Sequence, residues 1–130
     1  MSGKSEVVRE GKKLTLVTIG SVFSEALKAA EILEAEGIET TLINARFVKP
    51  LDPRIADYIN RSSKAVVVEE NSVAGGFGSA VLELCQENKV RADIELIGIP
   101  DRFVEHGSQD ELKRLCGLHF ENIVRVAKKM

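Results

Sequence analysis

The segment KAVVVEE, residues 64–70, constrains the fold more than any other part of the chain. Ala65–Val68 is an uninterrupted apolar run, short and rich in β-branched residues, and reads as a strand. Successive side chains of a strand point to opposite faces, so this one is apolar on both. Both faces then need cover, which is the pattern of a parallel strand between two layers of helices. The flanking segments can supply those layers. Residues 22–36 place Phe23, Ala26, Leu27, Ala30 and Leu33 on one helical face, with Ser21 as expected N-cap and Gly37 as stop. Asp52 followed by Pro53 opens a second helix. Phe77–Glu87 predicts a third, with Phe77, Val81, Leu84 and Cys85 inward. SQDE at 108–111 is a capping box for a helix ending near Gly117. Residues 120–129 close the chain with Ile123, Val126 and Ala127 on one side, and Lys128 and Lys129 at the end where the helix dipole favours cations.

SEVVREGKKLTLVTIGS reads as a short strand, a turn at Glu10–Gly11 and a longer strand at Leu14–Ile19, and further strands are expected at ETTLINA and DIELIGI. The turn lets the first strand run antiparallel to the others. The alternation predicts an α/β fold with three layers, α/β/α, on a mixed, mostly parallel sheet, with right-handed crossovers. At 130 residues the chain has the size of a single domain, with residues 1–5 as a tail. Such a chain buries roughly two-thirds of the surface its unfolded form exposes, enough to fold without disulfide or metal. A net charge of −2 with no dense basic block argues against nucleic-acid and membrane partners. There is no apolar run of membrane-spanning length and no secretory leader pattern, so the expected location is cytoplasmic. Cys85 and Cys116 lie in helical segments outside any C-x-x-C pair and read as reduced core thiols. His119 follows Cys116 by three positions, but a C-x-x-H pair without two further ligands is a weak metal signal. No metal site is expected.

The irregular segments with chemically rich side chains all follow strands: residues 20–21, 44–50, 69–76 and 99–107. In a parallel sheet such loops leave from one carboxyl edge, where open α/β sheets bind ligands and partners. One of them, EENSVAGG, runs into Phe77 and Gly78. Strand, glycine loop and helix is an arrangement that holds phosphate, but Gly75, Gly76 and Gly78 fit neither G-x-G-x-x-G nor the P-loop pattern. Glu69 and Glu70 beside them oppose an anion. The competing reading is close backbone packing or contact with another domain. Arg46 and Lys49 share a loop, either ion-paired to Glu69 or Glu70 or making an anion or interface contact. His106 has Asp101 and Glu105 nearby, yet no nucleophile is identifiable opposite it, so an interface role outweighs general base catalysis. Phe47, Phe77 and Phe103 put three of the five phenylalanines at or beside this edge, which suggests a contact surface.

The strings NARFVKPLD (44–52), VEENSVAGGFGSAV (68–81) and PDRFVEHGSQDEL (100–112) resemble the C-terminal domain of the transketolase-like thiamine diphosphate enzymes. The third string points within that group to the 1-deoxy-D-xylulose-5-phosphate synthases. The resemblance runs from about Lys4 to about Val126. It implies a five-stranded sheet in the order 1-3-2-4-5 with strand 1 antiparallel, and a switch point between the strands ending at Ile19 and Glu69. It also implies a larger parent transferase that condenses pyruvate with D-glyceraldehyde 3-phosphate and releases carbon dioxide, in isoprenoid, thiamine and pyridoxal precursor synthesis. Thiamine diphosphate and magnesium would be held by other domains, since this chain has no G-D-G…N segment; no cofactor is expected on this chain, and no catalytic residue carries over. The expected partners are the other domains and a second copy of the full-length protein. Arg46, Glu70, Asn71, Gly75, Gly76, Phe77, Gly78, Arg102, Phe103 and His106 are the contact candidates. An anion site built from Ser21, Arg46, Gly76 and Gly78 is the alternative, as is a separate C-terminal subunit of a split enzyme.

Overall fold

A computed structural model describes residues 5–46, 49–69, 76–98 and 120–130. In chain order these form β1 (Glu6–Arg9), β2 (Leu14–Ile19), a 3-10 turn (Gly20–Val22), α1 (Phe23–Ala35), β3 (Thr40–Asn44), α2 (Arg54–Ser62), β4 (Lys64–Glu69), α3 (Gly76–Glu87), β5 (Asp93–Gly98) and α4 (Phe120–Lys128). The strands build one five-stranded sheet in the order β1-β3-β2-β4-β5. All neighbours are parallel except β1, which runs antiparallel to β3. This is the topology the resemblance implied.

The turn at Glu10–Gly11 does not close a hairpin between β1 and β2. The chain crosses the start of β3 instead, which leaves β1 on the outer side of β3 and β2 on the inner side. The Gly11 N–H donates to Thr41 Oγ1 at 2.9 Å, and the Thr41 hydroxyl donates to the Gly11 carbonyl at 2.8 Å. A Cβ on Gly11 would stand 2.3 Å from the Thr40 nitrogen, so the crossing requires glycine. The N–H groups of Lys13 and Leu14 then both reach the Glu39 carbonyl, at 2.9 and 3.2 Å.

Strand alternation divides the core in two. Leu14, Leu16, Leu42, Val66 and Val68 face α1 and α4, packing with Ala26, Ala30, Leu33 and Ile123. Val17, Ile43, Ala65 and Val67 face α2 and α3, packing with Ile55, Ile59, Phe77, Val81 and Cys85. Ala65–Val68 is buried throughout, as its double-sided apolar character demands. Each large side chain so buried contributes roughly 1.5–3 kcal/mol relative to exposure. β5 is the far edge and less covered; its Leu96 remains 46% exposed.

The helix ends follow the sequence signals with two corrections. Ser21 is not the N-cap of α1: Gly20, at φ 87°, turns the chain at once into the 3-10 turn, and the cap position falls on Val22. Ser5, expected within the tail, is buried. At the other end of α1, Gly37 has φ 88°, its N–H reaches the Glu34 carbonyl, and Ile38 N–H reaches the Leu33 carbonyl, a Schellman closure. The cap position of α2 falls on Pro53 rather than on the expected Asp52, one residue earlier, whose Oδ1 still accepts the Arg54 N–H that opens the helix, at 3.0 Å. On α3, Leu84 is only half-buried. The first N–H of α4 donates to Glu25 Oε1 of α1 at 2.8 Å, and Lys128 near its end meets Glu36 at 2.6 Å. The capping box at 108–111, Gly117, Cys116 and His119 lie outside the described residues.

Candidate functional site

The sheet register brings the strand ends to one edge. Ile19 of β2 pairs with Glu69 of β4, Glu69 with Gly98 of β5, and Thr18 of β2 with Asn44 of β3. The connections after β2, β3, β4 and β5 therefore all leave together, as the loop pattern predicted. At the middle of this edge β2 and β4 lie side by side, the position implied for the switch point.

Three parts of the edge are described. The first is the β3–α2 loop. Ala45 N–H extends the ladder to the Thr18 carbonyl at 2.8 Å, and Arg46 N–H donates to Ser5 Oγ at 3.1 Å. These bonds fix the loop backbone while the Arg46 residue stays exposed. Among the described residues neither Arg46 nor Lys49 pairs with Glu69. Further along, Asp52 is 6% exposed. Its Oδ2 accepts the Ser5 N–H at 3.0 Å and Arg54 Nη2 at 2.8 Å. Burial pushes the Asp52 carboxyl up, but hydrogen bonds from the Arg54 guanidinium, the Arg54 N–H and the Ser5 N–H outweigh it and hold it below the ordinary carboxylate value.

The second part is the start of α3. Gly76 is half-buried, and Phe77 is turned into the core of this domain at 1% exposure. Phe77 is thus not itself part of an outer surface; it pins the helix start to the sheet. Gly78 is the close-approach glycine. A Cβ there would lie 3.2 Å from Leu96 Cδ1 and 3.5 Å from Glu69 Oε2. The clearance serves the helix's own sheet, and it sets the Glu69 carboxylate beside the first turn of α3. A carboxylate in that position already complements the positive helix end, which weighs against a phosphate there.

The third part is the turn after β2, where Ser21 falls within Gly20–Val22. Beneath it, Thr18 is fully buried on the face that packs against α1, and its Oγ1 has no hydrogen-bond partner among the described residues. Phe47, Glu70, Asn71, Gly75, Arg102, Phe103 and His106 lie outside the described residues. Among the described residues no three or more His, Cys, Asp or Glu side chains gather to hold a metal ion. None of the described helices is long and apolar enough to cross a membrane. Cys85, deep in the α3 face, has its thiol pushed up by burial, the behaviour of an inert core cysteine.

Ser5, Arg54 and Thr18 were not singled out from the sequence. For Arg54 the signal was present: Asp-Pro-Arg at a helix start places the guanidinium back over the Asp52 carboxylate. For Ser5 and Thr18 no local signal exists, because their roles depend on residues about 40 positions away or on the absence of any partner.

Residues 3–123 match the family described as transketolase, C-terminal domain. The chain is 47% identical over 128 residues to the 1-deoxy-D-xylulose-5-phosphate synthase of Desulforudis audaxviator, covering 97% of this chain and 20% of that protein. It is 48% identical over 127 residues to the synthase of the same name from Pelotomaculum thermopropionicum, covering 95% and 20%. The chain thus spans about a fifth of the length of the curated relatives it matches. A solved structure titled a split gene transketolase, inactive beta4 tetramer, superposes with a TM-score of 0.85 at 33% identity, covering 99% of this chain and 42% of that one. Transketolase from Campylobacter jejuni shares the fold, with a TM-score of 0.68 at 17% identity, covering 98% of this chain and 19% of that one.

Proposed function

The chain belongs to the transketolase C-terminal domain family, and from that premise we propose that it acts as the non-catalytic C-terminal domain of a 1-deoxy-D-xylulose-5-phosphate synthase. The observation that carries this reading is identity of 47% along nearly the whole chain to proteins of that name, confined to a fifth of their length. The parent reaction would join pyruvate to D-glyceraldehyde 3-phosphate with loss of carbon dioxide. Thiamine diphosphate would supply the carbanion chemistry. Thiamine diphosphate and magnesium would be held by the remaining four-fifths of such an enzyme, and no step is assigned to this chain.

The work left to this domain is packing. Its carboxyl edge presents the exposed Arg46 on a backbone fixed from both sides, with α3 held to the sheet by Phe77 and Gly78. Of the candidate contacts, Arg46, Gly76 and Gly78 lie on this edge, while Glu70, Asn71, Gly75, Arg102, Phe103 and His106 lie outside the described residues; the partner would be the thiamine-binding part or a second subunit. A second reading, a separate C-terminal subunit of a split enzyme, draws on the likeness to a split-gene transketolase, of whose polypeptide this chain covers 42%.

The test is reconstitution. The 130-residue chain, a separately produced thiamine-binding part of a relative, and the mixture are each supplied with pyruvate, glyceraldehyde 3-phosphate, thiamine diphosphate and magnesium. Deoxyxylulose phosphate is expected from the mixture and not from this chain alone. Turnover by the chain alone would refute the non-catalytic role. Absence of any complex in the mixture would refute the packing role.

A further inference from the structure

We propose that Asp52 and Arg54 form a latch that couples the segment entering the domain to the loop carrying Arg46, so that the two shift as one unit. The latch closes on a single residue, Ser5, all of whose polar groups are engaged. Its N–H donates to Asp52 Oδ2 at 3.0 Å, its carbonyl accepts from Arg54 Nη2, and its Oγ accepts the Arg46 N–H at 3.1 Å. The two halves of the latch are themselves joined: Arg54 Nε lies 3.2 Å from both Asp52 oxygens and Nη2 lies 2.8 Å from Oδ2. Asp52 also takes the Arg54 backbone N–H, so the carboxylate is anchored to the first turn of α2 whatever the guanidinium does.

Burial makes this more than a surface contact. Ser5 is 5% exposed and the Asp52 side chain 4%, while the Arg54 side chain is 45% exposed. Arg54 is the outer bolt and the other two are the enclosed parts. Charge-assisted bonds to a buried carboxylate are stronger than neutral ones, and removing one partner leaves the other unsatisfied. A displacement of the residues before Ser5 therefore has only one hydrogen bond to cross before it reaches the Arg46 backbone. The use of such coupling, relaying position from a neighbouring domain to the contact edge, rests on the function proposed above; the coupling itself does not.

A simple anchor and a latch differ in one respect. Arg54 makes no hydrogen bond to Arg46, so under a purely local role its loss leaves the Arg46 amide untouched. Amide hydrogen exchange on the folded chain, read by NMR, decides between them. Arg54→Ala keeps Asp52 and its bond from the backbone N–H. It is expected to speed exchange at the Arg46 amide about 10-fold or more, the loss of a charged hydrogen bond passed on through Ser5. Ser5→Ala, which removes the acceptor itself, sets the upper limit, and Arg54→Lys should fall between wild type and Arg54→Ala. Amides of Leu42 and Ile59 should stay at wild-type rates. An Arg46 amide unchanged in Arg54→Ala overturns the proposal. So does equal acceleration at Leu42, Ile59 and Arg46, because the latch is then not a separable unit. No enzyme assay enters this experiment, so its failure leaves the proposed function standing, and failed reconstitution leaves the latch standing.

Discussion

Thr18→Val should stabilise the chain. Thr18 is fully buried on β2, on the side facing α1, and its hydroxyl has no hydrogen-bond partner among the described residues. A buried hydroxyl left unpaired costs about 1–3 kcal/mol in lost hydration. Valine keeps the β-branched shape and replaces the hydroxyl with a slightly larger methyl, which returns part of the gain as tighter packing. A net increase of about 1–2 kcal/mol follows, or roughly 3–8 °C in Tm for a domain of this size. Thr15 supplies the control on the same strand. It is equally buried but faces α2, where its Oγ1 reaches the Tyr58 carbonyl at 3.0 Å and Ser62 Oγ at 2.9 Å. Thr15→Val breaks both bonds and should cost about 1–2 kcal/mol. The assay is urea unfolding of both variants and wild type under conditions where unfolding is two-state. Opposite signs are required. If both variants shift the midpoint the same way, hydroxyl pairing does not govern stability on β2 and the reasoning fails.

Gly11→Ala should lose about 3 kcal/mol or more, because its Cβ would meet the backbone of Glu39 and Thr40 at 2.3–2.8 Å and neither can move without opening the β1–β3 crossing; thermal unfolding checks it. Gly78→Ala should change stability by less than about 1 kcal/mol, since the gain in helix propensity offsets a 3.2 Å contact with the mobile end of the half-exposed Leu96; a large loss in calorimetry would contradict that. Asp52→Asn should destabilise at neutral pH and not in acid. The Asp52 carboxyl is held lower in the folded chain than in the unfolded one, so its contribution is present above the unfolded value of about 4 and is lost as pH falls through the folded value. Urea midpoints of wild type and variant should converge below about pH 4; a gap that persists in acid would mean that the charge is not what the site uses.

The parts of this fold that were legible in the sequence are those whose cause is local or periodic. Ala65–Val68 had to lie between two layers because no other arrangement covers both of its faces, and it does. Gly37 had to end a helix because the left-handed turn there favours glycine, and Asp52–Pro53 had to begin one. What was not legible depends on partners distant in the chain. The turn at Glu10–Gly11 looks the same whether β1 pairs with β2 or passes over β3; the Glu39 carbonyl and the Thr41 hydroxyl, some 30 residues on, distinguish them. Ser21 lost the cap position to Val22 because a glycine one residue earlier turned the chain first. The glycines of the α3 start show how this bears on the candidate site. From sequence, close packing and contact with another domain were both open as reasons for Gly78. The structure supplies the first reason in full, through Leu96 and Glu69 of the same sheet. A glycine explained by its own sheet is no longer support for an outside partner, so the weight of the packing proposal moves to Arg46, which is exposed, unpaired among the described residues, and held in place by a backbone that spends its hydrogen bonds on Ser5.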